Sequence, residues 1–357
     1  MIKAIAIHLP QYHPIPENDE WWGKGFTEWT NVAKATPLFD GHYQPHVPAD
    51  LGFYDLRLEE ARIAQAQLAR QYGIHGFCYY HYWFNGKRLL NAPLDAILES
   101  GKPDFPFMLC WANENWTRSW DGQDREVLLK QNHNIDDDIT HIDFLLKTFF
   151  ADSRYIKVNG KPFFVVYKPF LFPDINETIK AWRAQAAKAG VELYLGYMKT
   201  FSDEANTTDL SGFDCAIDFQ PHQYDIPVDR VFPLKSRIKR KLGLHKLPHF
   251  VNRIYSYAAY VDAMLKQKLN PKSSIYPGIT PGWDNTARRK KDAVIFVDSS
   301  PREYGRWLTH IANEYEGEDT YLFINAWNEW AEGNHLEPDA KWGRQYLEQT
   351  AKILKNA

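Results

Sequence analysis

Short runs of continuous apolar residues recur along the chain, with amphipathic stretches between most of them. The runs predict strands near residues 4–9, 76–80, 107–111, 163–167, 193–197, 215–219, 274–279 and 322–326. Their apolar positions are consecutive rather than alternating, as in strands buried on both faces. Residues 56–72 carry Leu, Ala and Ile at helical spacing and stop at Gly73, and 176–189 stop at Gly190. Residues 136–150 open on an Asp run suited to a cap and to the helix dipole, and 301–315 open with Ser-Pro. Eight strands alternating with helices predict an α/β fold, a (β/α)8 TIM barrel formed by residues 1–357 as a single domain.

The connections are unequal. Segments that follow strands are long and odd in composition (10–55, 81–91, 112–135, 220–253, 280–298, 327–339), whereas segments that precede strands are short. In a barrel this asymmetry places the elaboration on the C-terminal face, where barrel enzymes build their sites.

Composition adds exclusions. With 42 Lys and Arg against 45 Asp and Glu, the formal charge is −3, so no partner is expected among nucleic acids. The hydrophobic share of 44% rules out disorder. No apolar run is long enough to span a membrane. The apolar stretch 4–9 is too short for a signal-peptide core and reads as a first strand, from which a cytoplasmic location is expected. Three cysteines (Cys78, Cys110, Cys215) sit in apolar runs and form no disulfide framework. Aromatic residues are in excess: 21 Phe, 20 Tyr and 13 Trp. Eleven of the Trp fall at or beyond predicted strand exits, which points to a surface made to hold something flat and amphipathic.

The last strand runs into FINAWNEWAEGNHLEP, where Glu329 and Glu332 are three apart with Trp327 and Trp330 interleaved. Two such carboxylates serve as general acid and base when their surroundings separate their proton affinities. The plainer alternative is a first helical turn, where Glu is favoured by the dipole. Similar compositions follow other strands. Candidate sugar contacts are His8, Gln11, Tyr12 and Glu28 after the first, and Tyr80, His81 and Trp83 after the second. After the third come Trp111, Asn113, Glu114 and Trp116, and after the fourth Tyr167. Trp283, Asp284 and Arg288 follow the seventh, and Trp327, Asn328 and Trp330 flank the two glutamates. One such segment alone is compatible with loop packing; several at corresponding exits point to an oligo- or polysaccharide substrate.

His8, His13, His42, His46, His81 and His335 are loop or strand-exit candidates for metal binding, but no HExxH or equivalent spacing occurs. No metal and no cofactor is expected. The basic stretch KSRIKRKLGLHK, from Lys235 to Lys246 within an insertion at about 220–253, reads as a solvated loop or as a weak dock for an anionic membrane surface.

IHLPQYHPIPENDEWWGKGFTEWTNV, GFCYYHYWFN, CWANENWTR, PGWDNTARR and FINAWNEWAEGNHLEP together resemble the WbsX family of O-antigen and other polysaccharide clusters, often labelled glycosyltransferases. The last two segments are also similar to family 99 glycoside hydrolases, the endo-α-mannosidase family, which are (β/α)8 barrels. That resemblance implies a retaining glycosidase acting on α-linked manno-configured sugars, mannose or rhamnose in type. Glu329 would take the proton from the sugar 2-OH, which displaces the leaving group through a 1,2-anhydro sugar. Glu332 would protonate the leaving oxygen and then activate water. The competing readings are a glycosyltransferase of polysaccharide assembly and a non-catalytic glycan-binding protein. Against transfer, no Gly-rich nucleotide fingerprint follows the first strand.

Overall fold

A computed structural model describes residues 1–118, 123–200, 207–222, 225–231, 247–289 and 291–355. The basic stretch from Lys235 to Lys246 and Trp120 lie outside the described residues.

Eight parallel strands close a barrel. They are β1 (Ile2–His8), β2 (Ile74–Phe84), β3 (Phe107–Trp111), β4 (Lys161–Val166), β5 (Tyr194–Lys199), β6 (Cys215–Asp218), β7 in two pieces (Ile275–Tyr276 and Gly278–Ile279) and β8 (Thr320–Ile324). Neighbours pair in the order β6-β5-β4-β3-β2-β1-β8, and β7 closes the ring, its first piece on β6 and its second on β8. Pro277 divides β7 because it has no N–H to give the ladder, yet its carbonyl still accepts from Phe323 N at 2.9 Å. Gly278 is required beside it: a Cβ there would lie 1.6 Å from the Asp218 carbonyl oxygen.

The helices on the outside are α1 (Glu59–Gln71), α2 (Ala92–Ser100), α3 (Ile135–Lys147), α4 (Ile175–Lys188), α5 (Tyr257–Met264), α6 (Pro301–Glu314) and α7 (Gln345–Leu354). Their starts follow local chemistry. Asn134 caps α3 by accepting from Asp137 N, so the Asp run occupies the first turn rather than the cap. Asp174 caps α4, and Ser300 caps α6 ahead of Pro301. Trp182 and Trp307, on α4 and α6, are buried against the barrel. The three cysteines are buried and free. Among the described residues no helix is long and apolar enough to cross a membrane.

The long segments after strands carry small elements that apolar periodicity did not predict. Two seven-residue helices, Pro16–Trp22 and Glu28–Lys34, follow β1. A hairpin of Trp116–Arg118 with Gln123–Leu129 follows β3. Arg253–Ser256 and Val294–Val297 pair in parallel, joining the segment after β6 to the one after β7. After β8, Asn328–Glu329 pairs antiparallel with Asn334–His335 around the turn Trp330–Glu332.

Candidate active site

The exit of β8 is pinned before it turns. Asn328 clamps the backbone of Leu9, accepting from its N–H at 2.7 Å and donating to its carbonyl at 3.0 Å. Tyr12 donates its hydroxyl to the Asn328 carbonyl. The chain then reverses through Gly333, whose φ of +56° belongs to the left-handed region that glycine adopts freely. The β7 segment is stitched to this turn, with Asp284 N donating to the Glu332 carbonyl at 2.7 Å. Asp284 also accepts from Thr286 N at 3.0 Å, capping the short turn Asn285–Ala287 that delivers Arg288.

Arg288 is the hub. Its guanidinium lies 2.6 Å from Glu28, 2.8 Å from Glu329 and 2.7 Å from Glu332. One largely buried cation therefore faces three carboxyl groups. Burial pushes the proton affinity of Glu329 up to about 8, with Arg288 pulling it down and the neighbouring glutamates pushing it further up. Burial likewise raises Glu332 and Glu28, again opposed by Arg288. Glu332 is the more solvated of the catalytic candidates, its side chain 19% exposed against 6% for Glu329.

Above this floor opens a cleft of about 610 Å³. Trp21, Trp22, Tyr80, Tyr82, Trp116, Tyr167 and Phe219 contribute its aromatic walls, and Gln11, Trp283 and His222 also line it. Glu114 and Lys168 form an ion pair on its rim.

Of the positions singled out by sequence, Gln11, Tyr80, Glu114, Trp116, Tyr167, Trp283, Arg288, Glu329 and Glu332 line this cleft. The others support it from behind. His8 is buried on Gln65, and Glu28 is fully buried on Arg288. His81 packs on His141, whose ring Trp83 stacks upon at 4.6 Å. Trp111 is buried beneath Trp83, donating to its carbonyl at 3.2 Å. Asn113 clamps the Lys168 backbone. Trp327 packs on Phe77 at 5.1 Å. Tyr12, Asn328 and Trp330 are buried under the turn, and Asp284 points to His42 at 2.7 Å rather than into the cleft.

Beyond the candidate contacts, Tyr82, Lys168, Phe219 and His222 also lie in the cleft, with Trp21 and Trp22 of the strand-exit tryptophans, and Glu337 lies beneath the turn. Tyr82 had a usable signal: strand residues two apart share a face, so Tyr80 and Tyr82 point one way and His81 and Trp83 the other. Glu337 accepts from Trp330 Nε1 at 2.6 Å, Gln65 at 2.7 Å and Tyr54 at 2.8 Å. Burial raises it to about 7, against those three hydrogen bonds.

A family model described as "Glycosyltransferase WbsX" matches residues 4–350. The protein described as "Uncharacterized protein WxcX" from Xanthomonas campestris pv. campestris (strain B100) is 40% identical over 358 residues, covering 99% of this chain and 50% of its own length. The chain thus spans about half the length of the curated relatives it matches. The GH99 endo-alpha-mannosidase of Bacteroides thetaiotaomicron superposes with a TM-score of 0.58 at 13% identity, over 100% of this chain and 98% of that one. A protein described as glycoside hydrolase-like superposes with a TM-score of 0.58 at 14% identity, over 99% and 93% of the two chains. At such identities the likeness shows the fold.

Proposed function

The chain belongs to the family described as glycosyltransferase WbsX, and from the chemistry of its cleft, taken with the resemblance of its last two motifs to family 99 glycoside hydrolases, we propose that it is a glycoside hydrolase acting on α-linked manno-configured sugars. The observation that carries this reading is the Arg288 fork, which holds Glu329 and Glu332 together at the floor of an aromatic-walled cleft. Sugar rings stack on such walls, and two buried carboxyl groups of raised proton affinity share protons rather than both ionising. The competent state has one of the pair charged and the other protonated.

In this reading Glu329 is the base toward the 2-OH and Glu332 the general acid. A raised affinity makes Glu329 a stronger base than an ordinary carboxylate, as removing a hydroxyl proton demands. The axial 2-OH of a manno-configured sugar then attacks the anomeric carbon anti to the leaving group. The anomeric C–O bond breaks as the leaving oxygen takes the Glu332 proton. Water, giving a proton back to Glu332, then attacks the anomeric carbon and breaks its bond to O2, which recovers its proton from Glu329. Arg288 holds both carboxyl groups in place and disfavours double protonation.

The family description favours a second reading, transfer from an activated sugar. Incubation with defined α-mannosides and α-rhamnosides, and separately with nucleotide sugars, separates the two. Hydrolysis with retention, lowered about 10²–10⁴-fold in both Glu329→Gln and Glu332→Gln, supports the proposal. Nucleotide-sugar turnover without hydrolysis, or wild-type rates in either variant, overturns it.

A further inference from the structure

A second cavity, of about 70 Å³, lies on the other side of Trp283, behind the turn that carries the two glutamates. His46 Nδ1, His335 Nε2 and a carboxylate oxygen of Asp339 meet there within 4.8 Å of one another, with His335 and Asp339 buried and His46 partly so. The segment after β1 supplies the first, and the segment after β8 supplies the other two. We propose that His46, His335 and Asp339 bind one divalent late first-row cation, zinc foremost, as a structural clip behind the catalytic turn.

The tautomer of His335 is set by its surroundings. Its Nδ1 lies 2.9 Å from the Glu337 carbonyl oxygen, which can only accept, so Nδ1 carries the proton. Nε2 therefore presents a lone pair toward His46 Nδ1, 2.9 Å away. A histidine that donates one ring N–H to a backbone carbonyl and offers the other nitrogen inward is oriented as metal-bound histidines are. Asp339 is held in the same way, accepting from Tyr43 at 3.1 Å and from Trp342 N at 2.5 Å.

Two imidazole nitrogens with one carboxylate oxygen suit zinc and its neighbours, with water completing a tetrahedron. Binding requires the two nitrogens to separate by a few tenths of an ångström. The Lys341 ammonium opposes a cation and the Asp284 carboxylate favours one; both line the same cavity and act on His46. The ion would not touch the cleft. Its effect would pass through His335, whose ring stacks on Trp330 at 3.8 Å between the two glutamates. The expectation of no metal rested on local spacing, which cannot register ligands 289 residues apart.

The test uses tag-free protein produced in zinc-supplemented medium. Wild type is expected to retain close to one zinc per chain by mass spectrometry, to melt lower after chelation and to recover when zinc is returned. His46→Gln and Asp339→Asn are expected to lose both the metal and the melting response. Cobalt substitution of the wild type should produce visible ligand-field bands of a tetrahedral site, a readout that stands even where a variant fails to fold. Substoichiometric metal with no melting response to added zinc overturns the proposal. So does full metal content in both variants.

Discussion

Arg288 decides the electrostatics of the site. Among the described residues it alone contacts Glu28, Glu329 and Glu332 at salt-bridge distance. Lysine is a point charge without the planar fork. Arg288→Lys should therefore lower kcat about 100-fold, the scale on which losing one preorganised donor acts, while the melting temperature changes little. Arg288→Met removes the charge that lowers all three carboxyl groups. It should cost roughly 3–5 kcal/mol, and more near pH 8 than near pH 5 (about), since the stranded groups are then forced to ionise. Urea unfolding at the two pH values checks this. Glu329, Glu332 and Arg288 were legible because each lies in a distinctive segment at a strand exit. The burial of Glu28 beneath Arg288 was not, because a carboxylate in a loop carries no sign of the cation it will meet.

The turn Trp330–Glu332 and its supports show how loops become a rigid floor. Asn328 ties the turn to Leu9, Asp284 N ties it to the β7 segment, and Glu337 receives Trp330 from below. Gly333 ends the turn at φ +56°, where a Cβ would lie 3.0 Å from that of Asp284. Gly333→Ala should cost roughly 1–2 kcal/mol from the left-handed backbone alone, and should lower kcat more than it raises KM because it displaces Glu332. Denaturant unfolding and steady-state kinetics separate the two effects. The tryptophans expected along the strand exits divide at this level. Trp21, Trp22, Trp116 and Trp283 line the cleft, whereas Trp29, Trp83, Trp111, Trp327 and Trp330 are buried behind it. Long loops over a barrel need an apolar layer of their own to stay ordered, and much of the aromatic excess is that layer.

Taken across the molecule, buried titratable groups constrain stability from both sides. Glu329 and Glu337 are raised by burial to about 8 and about 7 from an ordinary 4.5. The folded state holds their protons longer, so stability is full below 4.5 and is lost as pH rises through those values. His8 and His81 are lowered by burial to about 3 from 6.5. Their contribution is full above 6.5 and is lost as pH falls toward 3. The melting temperature should therefore peak between about pH 5 and 6.5 and decline on both sides. A scan of melting temperature against pH checks this, and a steady rise from pH 6.5 to 9 (about) would contradict it.

The barrel itself was written locally. Consecutive apolar runs make strands buried on both faces, capped amphipathic stretches make the helices between them, and short links before strands leave the elaboration to one end. Each of these is a property of neighbouring residues. Which aromatic rings line the cleft and which hold up the floor, the sharing of one arginine among three glutamates, and the meeting of His46 with His335 depend on barrel closure. Closure sets β1 beside β8 and brings together segments hundreds of residues apart, at distances no local pattern encodes.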